Sequence, residues 1–335
     1  MTANTLNTYD VLIVGGGAAG LSAAQMLGRS RRSVVVVDGG EPRNAPAAGV
    51  HGFLSRDGIG PAELLAIGRA EAEHYGVRMV HGEVAAAEGH AAEGFAVTLA
   101  DGRVIRGRRL LITTGLTDEL PDIAGLRGRW GRDVLHCPFC HGWEVQDQAI
   151  GILGNGPWSV HQALLFRQWS SNVSLFLNGR TVPTDVELEQ LAARGVKVVA
   201  GAVESLRVEH DILRGVALAG GPEVAVDAVV VGPQVRARLD AFAGLGLNAS
   251  AHPLGIGDYL ETDGDGATAV PGVWAAGNVT DFKAQVLAAA AAGAWTAVAI
   301  NNHFMAEELA RDVKAHRESL AVAPHRLPRL TSSAR

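Results

Sequence analysis

Cysteine is scarce. The 335 residues hold two, Cys137 and Cys140, three positions apart. So close a pair builds no disulfide framework of the kind that staples secreted domains, and a reducing, cytoplasmic setting is expected. A basic excess is missing too: 29 Lys and Arg stand against 35 Asp and Glu, for a net charge of −6. A nucleic-acid partner, which wants a basic face, is therefore not expected. Charged residues make up 19% and hydrophobic ones 47%, a balance that excludes disorder throughout. No uncharged apolar run reaches the roughly 20 residues of a membrane span. The nearest, Ala284 to Ile300, is mostly alanine and reads as a buried helix. Met1 to Asp10 has no positively charged region leading into an apolar one, so no signal peptide is read.

The two thiols sit in Leu135-His136-Cys137-Pro138-Phe139-Cys140-His141-Gly142-Trp143-Glu144. A Cys-x-x-Cys pair with no other thiol in the chain reads first as a redox dithiol. The thiolate is the reactive form, and a helix start or a basic neighbour favours it. Pro138 suits the first turn of a helix. His136 and His141 flank the pair and titrate near neutral pH. Three other readings fit the string. Cys-x-x-Cys-His is also a haem attachment signature, which needs an exported protein. A zinc site would have to gather four ligands from about one turn, and no metal is expected here. The cysteines also fit a pair of inert core residues.

The order of motifs along the chain points to an α/β fold with two nucleotide-type domains, a number that also suits the length. Tyr9 to Val14 is a buried-strand run, and Gly15-Gly16-Gly17-Ala18-Ala19-Gly20 opens a helix. Ser33 to Val37 is a second strand, ending at Asp38. This is G-x-G-x-x-G in its required setting, with an acid roughly 20 residues on to accept from a ribose. Gly15 allows the tight turn, Gly17 admits a pyrophosphate, and Gly20 lets the helix pack on the strand. Asp101-Gly102 marks a hairpin between Phe95–Leu99 and Arg103–Arg106. A further strand runs from Leu110 to Gly115, and a polar linker follows from Thr117 to Trp130. After the cysteines the plan repeats. Ala149 to Leu153 is a strand, Gly154-Asn155-Gly156-Pro157-Trp158-Ser159 opens a helix, Asn172 to Leu177 is a strand, and Ala228 to Gly232 closes the block. A third block brings Pro271 to Asn278 and a helix from about Phe282 to Lys314, capped by Thr280 or Asp281, with Gly293 arguing against an unbroken run. The tail from His316 is read as poorly ordered.

These marks together resemble the low-molecular-weight thioredoxin reductases and their relatives, over about Tyr9 to Ala310. The resemblance implies two Rossmann-like three-layer domains, the second inserted into the first. Residues 1–117 and 246–315 would form a discontinuous FAD-binding domain, 118–245 an inserted NAD(P)-binding-like domain carrying the cysteines, and 316–335 the tail. FAD is the implied cofactor, held along Gly15, Gly16, Gly17, Ala18, Ala19, Gly20 and Asp38. Arg43, Asn44, Val84 and Gly115 would line it, Asn278 would reach the ribityl chain, and Gln285 and Val286 would meet the flavin ring. A homodimer is implied as well.

The departures from the reductase pattern narrow the expectation. Pro157 removes one backbone N–H from the second glycine turn, and Trp158 is bulky where a phosphate should approach. Only Arg180 remains where a 2′-phosphate wants several cations. These features, with His141 directly after the second cysteine, are similar to the FAD-dependent dithiol oxidases of gliotoxin- and holomycin-type biosynthesis. The resemblance implies a small-molecule dithiol as substrate, Cys137 as the sulfur attacked, Cys140 nearer the flavin, and O2 reduced to H2O2. His141 is the candidate base and His136 the reserve. Trp143 and Trp158 would flank the substrate groove. The alternative runs electrons the other way, to thioredoxin, from NADPH or a donor such as ferredoxin.

Overall fold

The structure, a computed structural model, describes residues 8–322. Uncharged valine-rich runs make its first sheet. Thr8–Val14 (β1) and Val34–Asp38 (β2) lie parallel, with Val11 opposite Val34 and Val14 opposite Val37. Parallel neighbours need a crossover, and Ala18–Arg29 (α1) supplies it. Pro61–His74 (α2) follows, with Pro61 in its first turn, and then Arg78–His81 (β3), Val84–His90 (β4), Gly94–Leu99 (β5) and Val104–Ile112 (β6). The sheet order is β3-β2-β1-β6-β5-β4. The hairpin expected at Asp101-Gly102 joins β5 to β6, with Asp101 Oδ1 accepting from the Arg103 N–H at 3.0 Å.

β6 is one continuous strand where two separate pieces were expected. Its charged middle survives because the charges find partners. Arg109 is buried and pairs with Glu307, and Arg108 pairs with Asp10 at 3.1 Å.

Leu116–Glu119 (β7) begins what the sequence presents as a linker, and it pairs antiparallel with a later strand. The second sheet holds Val134–Leu135 (β8), Ile150–Leu153 (β9), Val173–Phe176 (β10), Lys197–Val199 (β11) and Ala228–Val231 (β15), all parallel, in the order β11-β10-β9-β15-β8. Three helices interleave with them: Pro138–His141 (α3), Trp158–Phe166 (α4) and Asp185–Ala193 (α5). An antiparallel meander of Val203–Glu209 (β12), Ile212–Leu218 (β13) and Glu223–Ala225 (β14) covers the other face. Gln234–Ala237 (β16) then pairs with β7, and Ser250–Ala251 (β17) with Asp258–Tyr259 (β18). Val273–Ala275 (β19) returns to the first sheet beside β6. Sequence-distant blocks therefore share one sheet, and the second sheet lies between them in the chain.

Side-chain alternation splits the first core into two layers. Leu12, Val14, Val35 and Val37 point to one side and pack with Phe95, Val97 and Phe242. Val11, Ile13, Val34 and Val36 point to the other and pack under α1 and the last helix, Val286–Val322 (α6). Each fully buried Val, Leu or Ile contributes about 1.5–3 kcal/mol. The second sheet repeats the scheme, with Ile150, Ile152 and Leu175 under α4 and α5, and Leu153, Phe176 and Val229 against the meander.

α6 starts four residues later than expected. The Asn278 amide donates to the carbonyls of Asp281, Phe282 and Ala284 and holds that segment as a turn. The helix then runs unbroken through Gly293 and past Lys314, supported by Lys314–Glu318 one turn apart at 4.0 Å. Residues 316–322, expected in a poorly ordered tail, are thus helical, and 323–335 lie outside the described residues. Among the described residues no helix is long and apolar enough to cross a membrane.

Candidate active site

A cleft of about 1320 Å³ opens between the two sheets and joins the first glycine turn to the cysteines. Its floor is the β1–α1 turn. Gly15 takes φ +108°, which excludes a side chain, and its backbone lies directly under Thr113. Thr113 Oγ1 donates to the carbonyls of Val14 and Gly15 and pins the turn to β6. The Gly16 N–H donates to Asp38 Oδ1 at 3.0 Å, which leaves the second carboxylate oxygen for a ligand. A Cβ built on Gly17 would meet nothing within 4 Å, so space is left in front of the α1 N-terminus where a pyrophosphate would sit. Gly16, Ala18, Ala19, Asn44, Val84, Gly115, Gln285 and Val286 also line the cleft. This cradle, acid and open channel fit FAD.

The disulfide stands at the other end. Cys137 and Cys140 are bonded to each other, with their Cα atoms 5.3 Å apart across the start of α3. Gln285 Nε2, one residue ahead of α6, lies 3.8 Å from Cys137 Sγ and 3.7 Å from Cys140 Sγ. The last block of the chain therefore meets the inserted one at the sulfur atoms. Phe139, 64% exposed, packs edge-on against Trp169 beside them.

The two histidines differ in setting. His136 is half-buried, with Nδ1 3.2 Å from the Val231 carbonyl, and desolvation together with the Arg43 guanidinium pushes its pKa down. His141 is less enclosed. Burial lowers its pKa, Glu144 pulls it back up, and His51 lowers it again. His51 lies between two carboxylates, 3.3 Å from Glu144 and 3.6 Å from Asp57.

The second glycine turn is closed on itself. The Asn155 N–H donates to Ser159 Oγ at 3.0 Å and the Gly156 N–H to Thr181 Oγ1 at 3.4 Å. Pro157 has none to offer. Arg180 is turned onto Asn155 Oδ1 at 3.2 Å. Trp158 lines the cleft at the start of α4.

Residues 9–295 match the pyridine nucleotide-disulphide oxidoreductase family. The chain belongs to it. Among its relatives, the thioredoxin reductase tcpT of Claviceps purpurea (strain 20.1) is 33% identical over 231 residues, 67% of this chain and 70% of that protein. The thioredoxin reductase sirT of Leptosphaeria maculans is 28% identical over 318 residues, 90% and 96% of the two chains. The crystal structure of HlmI superposes with a TM-score of 0.87 at 46% identity, covering 93% of this chain and 98% of that one. The chain is thus a thioredoxin reductase-like, flavin-dependent thiol/disulfide oxidoreductase, of a family whose members bind FAD.

Against that family pattern some expectations shift. The Asn278 amide nitrogen is spent on its own loop, so only its oxygen is left to meet a ribityl hydroxyl. Arg43 lines the cleft, yet its guanidinium grips Asp118 of β7 at 2.6 and 2.8 Å. Trp143 is 70% exposed and stands outside the cleft lining, unlike Trp158. Asp118, His51 and Asp57 belong to no motif that would mark them in the sequence. Glu144 was in view beside His141 without a role, because its partner lies in a loop distant in the chain.

Proposed function

We propose that the protein is an FAD-dependent dithiol oxidase that closes an intramolecular disulfide in a small molecule. The observation that carries the reading is the second glycine turn, where the Asn155 and Gly156 N–H groups and Arg180 already have partners within the chain and Pro157 has no N–H. A nicotinamide nucleotide brought there would have to break those bonds before binding. The reading also draws on the similarity to HlmI. Within it, a substrate thiolate attacks Cys137, the Cys137–Cys140 bond breaks, and the substrate's second thiolate resolves the mixed disulfide. His141 takes the thiol protons, and His136, held on Val231, positions the strand that leads into the cysteines. FAD, held along Gly15, Gly17, Gly20 and Asp38, would supply the two-electron acceptor for the reduced cysteine pair, with O2 as terminal oxidant and H2O2 as product. The cleft wall of Phe139, Trp158 and Leu165 suits an apolar substrate. A cytoplasmic setting and a homodimer belong to the same proposal, with the exposed Trp295, Met305 and Leu309 of α6 as candidate contacts.

Both relatives described above carry the name thioredoxin reductase, which makes the opposite electron flow the rival to test. Purified protein given dithiothreitol in air is expected to consume O2 and form H2O2 in equal amounts without NADPH. Under anaerobic conditions NADPH is expected to leave the flavin yellow. Rapid anaerobic bleaching by NADPH, with no dithiol-driven O2 uptake, would reject the oxidase.

The pH dependence follows from His141. Its pKa lies below the ordinary 6.5 because burial disfavours the charged ring. It is therefore neutral and able to accept a proton at pH 7, and activity is lost as pH falls through the lowered value. The acid limb of kcat/KM for dithiothreitol is expected below pH 6.5 and is expected to vanish in His141→Gln.

A further inference from the structure

The cluster of His51, Asp57 and Glu144 has no part in the chemistry above, yet it joins two distant segments beside the disulfide. His51 and Asp57 belong to the glycine-rich loop after β2, and Glu144 follows α3. Surface acids and histidines usually stay solvated, but the His51 side chain is only 28% exposed. A carboxylate faces each ring nitrogen: Glu144 Oε1 is 3.3 Å from Nε2, and Asp57 Oδ1 is 3.6 Å from Nδ1. The Gly52 N–H donates to Asp57 Oδ1 at 2.8 Å and fixes that carboxylate, whose side chain is 72% open to solvent. A Cβ added at Gly52 would come within 4.0 Å of Gln285 Oε1, and the amide of that residue reaches both sulfurs. The loop therefore reaches the reacting disulfide on one side and water on the other.

We infer that Glu144, His51 and Asp57 are positioning residues that carry substrate protons from His141 out to solvent. This rests on the oxidase reading and on His141 as its base. Each turnover converts a dithiol to a disulfide while the Cys137–Cys140 bond breaks. Two electrons pass to the cysteine sulfurs, leaving them as thiolates, and two thiol protons are released. The thiols react one after the other, so a single base acts twice and must be emptied between. An imidazole with an acceptor at each nitrogen takes a proton on one and yields it from the other. The charged groups around this path are few. His51 faces Asp57 and Glu144. Of the charged groups near His141, Glu144 raises its pKa and His51 lowers it. His136 feels the charges of Arg43, Asp118 and His141, and its Nδ1 is taken up by the Val231 carbonyl.

The test is anaerobic stopped-flow bleaching of the flavin by dithiothreitol across pH. His51→Gln and Glu144→Gln are expected to slow bleaching about tenfold at pH 7, less than the roughly hundredfold or more for a group that takes the substrate proton directly, and to lose the acid inflection. Glu144→Asp is expected to restore most of the rate. FAD content, and O2 reoxidation of dithionite-reduced protein, are expected to match the parent. Profiles of both Gln variants that superimpose on the parent, while His141→Gln is slow, would overturn the path and leave the oxidase standing. A uniform, pH-independent slowing would also overturn it, marking only loop support. Unchanged bleaching in Cys137→Ser would remove the oxidase reading and the path together.

Discussion

Cys137→Ser is expected to stop dithiol oxidation and leave a yellow, FAD-loaded protein. A serine hydroxyl forms no S–S bond, so neither the resting disulfide nor the mixed disulfide with substrate can exist. Removing a nucleophile of this kind costs on the order of 10⁴-fold or more in turnover. The fold has little to lose, since the disulfide closes a loop of only a few residues and the effect of a cross-link grows with loop length. The side chain is partly open to the cleft, so a slightly smaller atom there disturbs no core. Cys140→Ser is expected to be equally dead. The two variants separate in their remaining thiol. The one facing substrate reacts faster with 2-hydroxyethyl disulfide, giving a mixed disulfide visible as a mass increase. The assignment of Cys137 to substrate requires the faster labelling in Cys140→Ser. Dithiol-driven O2 uptake by Cys137→Ser above that of free FAD would take the cysteine pair out of the mechanism.

Much of this site was legible in the sequence because its parts are local. The β1–α1 turn needs glycine at fixed offsets and an acid at the end of the next strand, and Gly15, Gly17, Gly20 and Asp38 provide them within one crossover. The cysteine pair stands out by its spacing and by the lack of any other thiol in the chain. The uncharged runs 11–14, 34–37, 150–153 and 228–231 read as strands because both faces of their sheets are covered.

Features decided by distant partners were not legible. β7 and β16 are four-residue strands with polar side chains, and each exists because the other is there. The start of α6 was misplaced because Asn278 gathers the carbonyls that would otherwise open the helix. The charged middle of β6 resembled a break until Glu307, on α6, came to meet it. His51 and Glu144 carry no shared signal at all, since one is a lone histidine in a loop and the other a lone acid after α3. α5, by contrast, carries a local signal in the sequence. Thr184 and Glu187 form a reciprocal capping box at the start of α5, the spacing that marks a helix N-terminus.

Gly293 shows how a residue can argue one way in sequence and another in the fold. In an exposed helix interior, replacing glycine by alanine stabilises by about 1 kcal/mol. Gly293→Ala is expected to do the opposite. α6 crosses α1 at this point, and a Cβ on Gly293 would stand 2.0 Å from the Ala19 carbonyl oxygen and 2.8 Å from its Cα. Both obstacles are backbone, so no side chain can swing aside, and the helices must part. Overpacking of this sort costs typically about 1–3 kcal/mol, enough to cancel the propensity gain and exceed it. The displaced element matters more than the energy. Ala19 belongs to the first turn of α1, directly behind the Gly15–Gly17 floor of the cleft, so pushing it away moves the N–H groups that face the pyrophosphate. The variant is expected to purify with substoichiometric FAD and to melt several degrees lower, and added FAD is expected to recover only part of the loss. A Gly293→Ala protein with full flavin and a raised melting temperature would mean that α1 and α6 do not cross at this contact. The unbroken run of α6 would then need another cause than close packing.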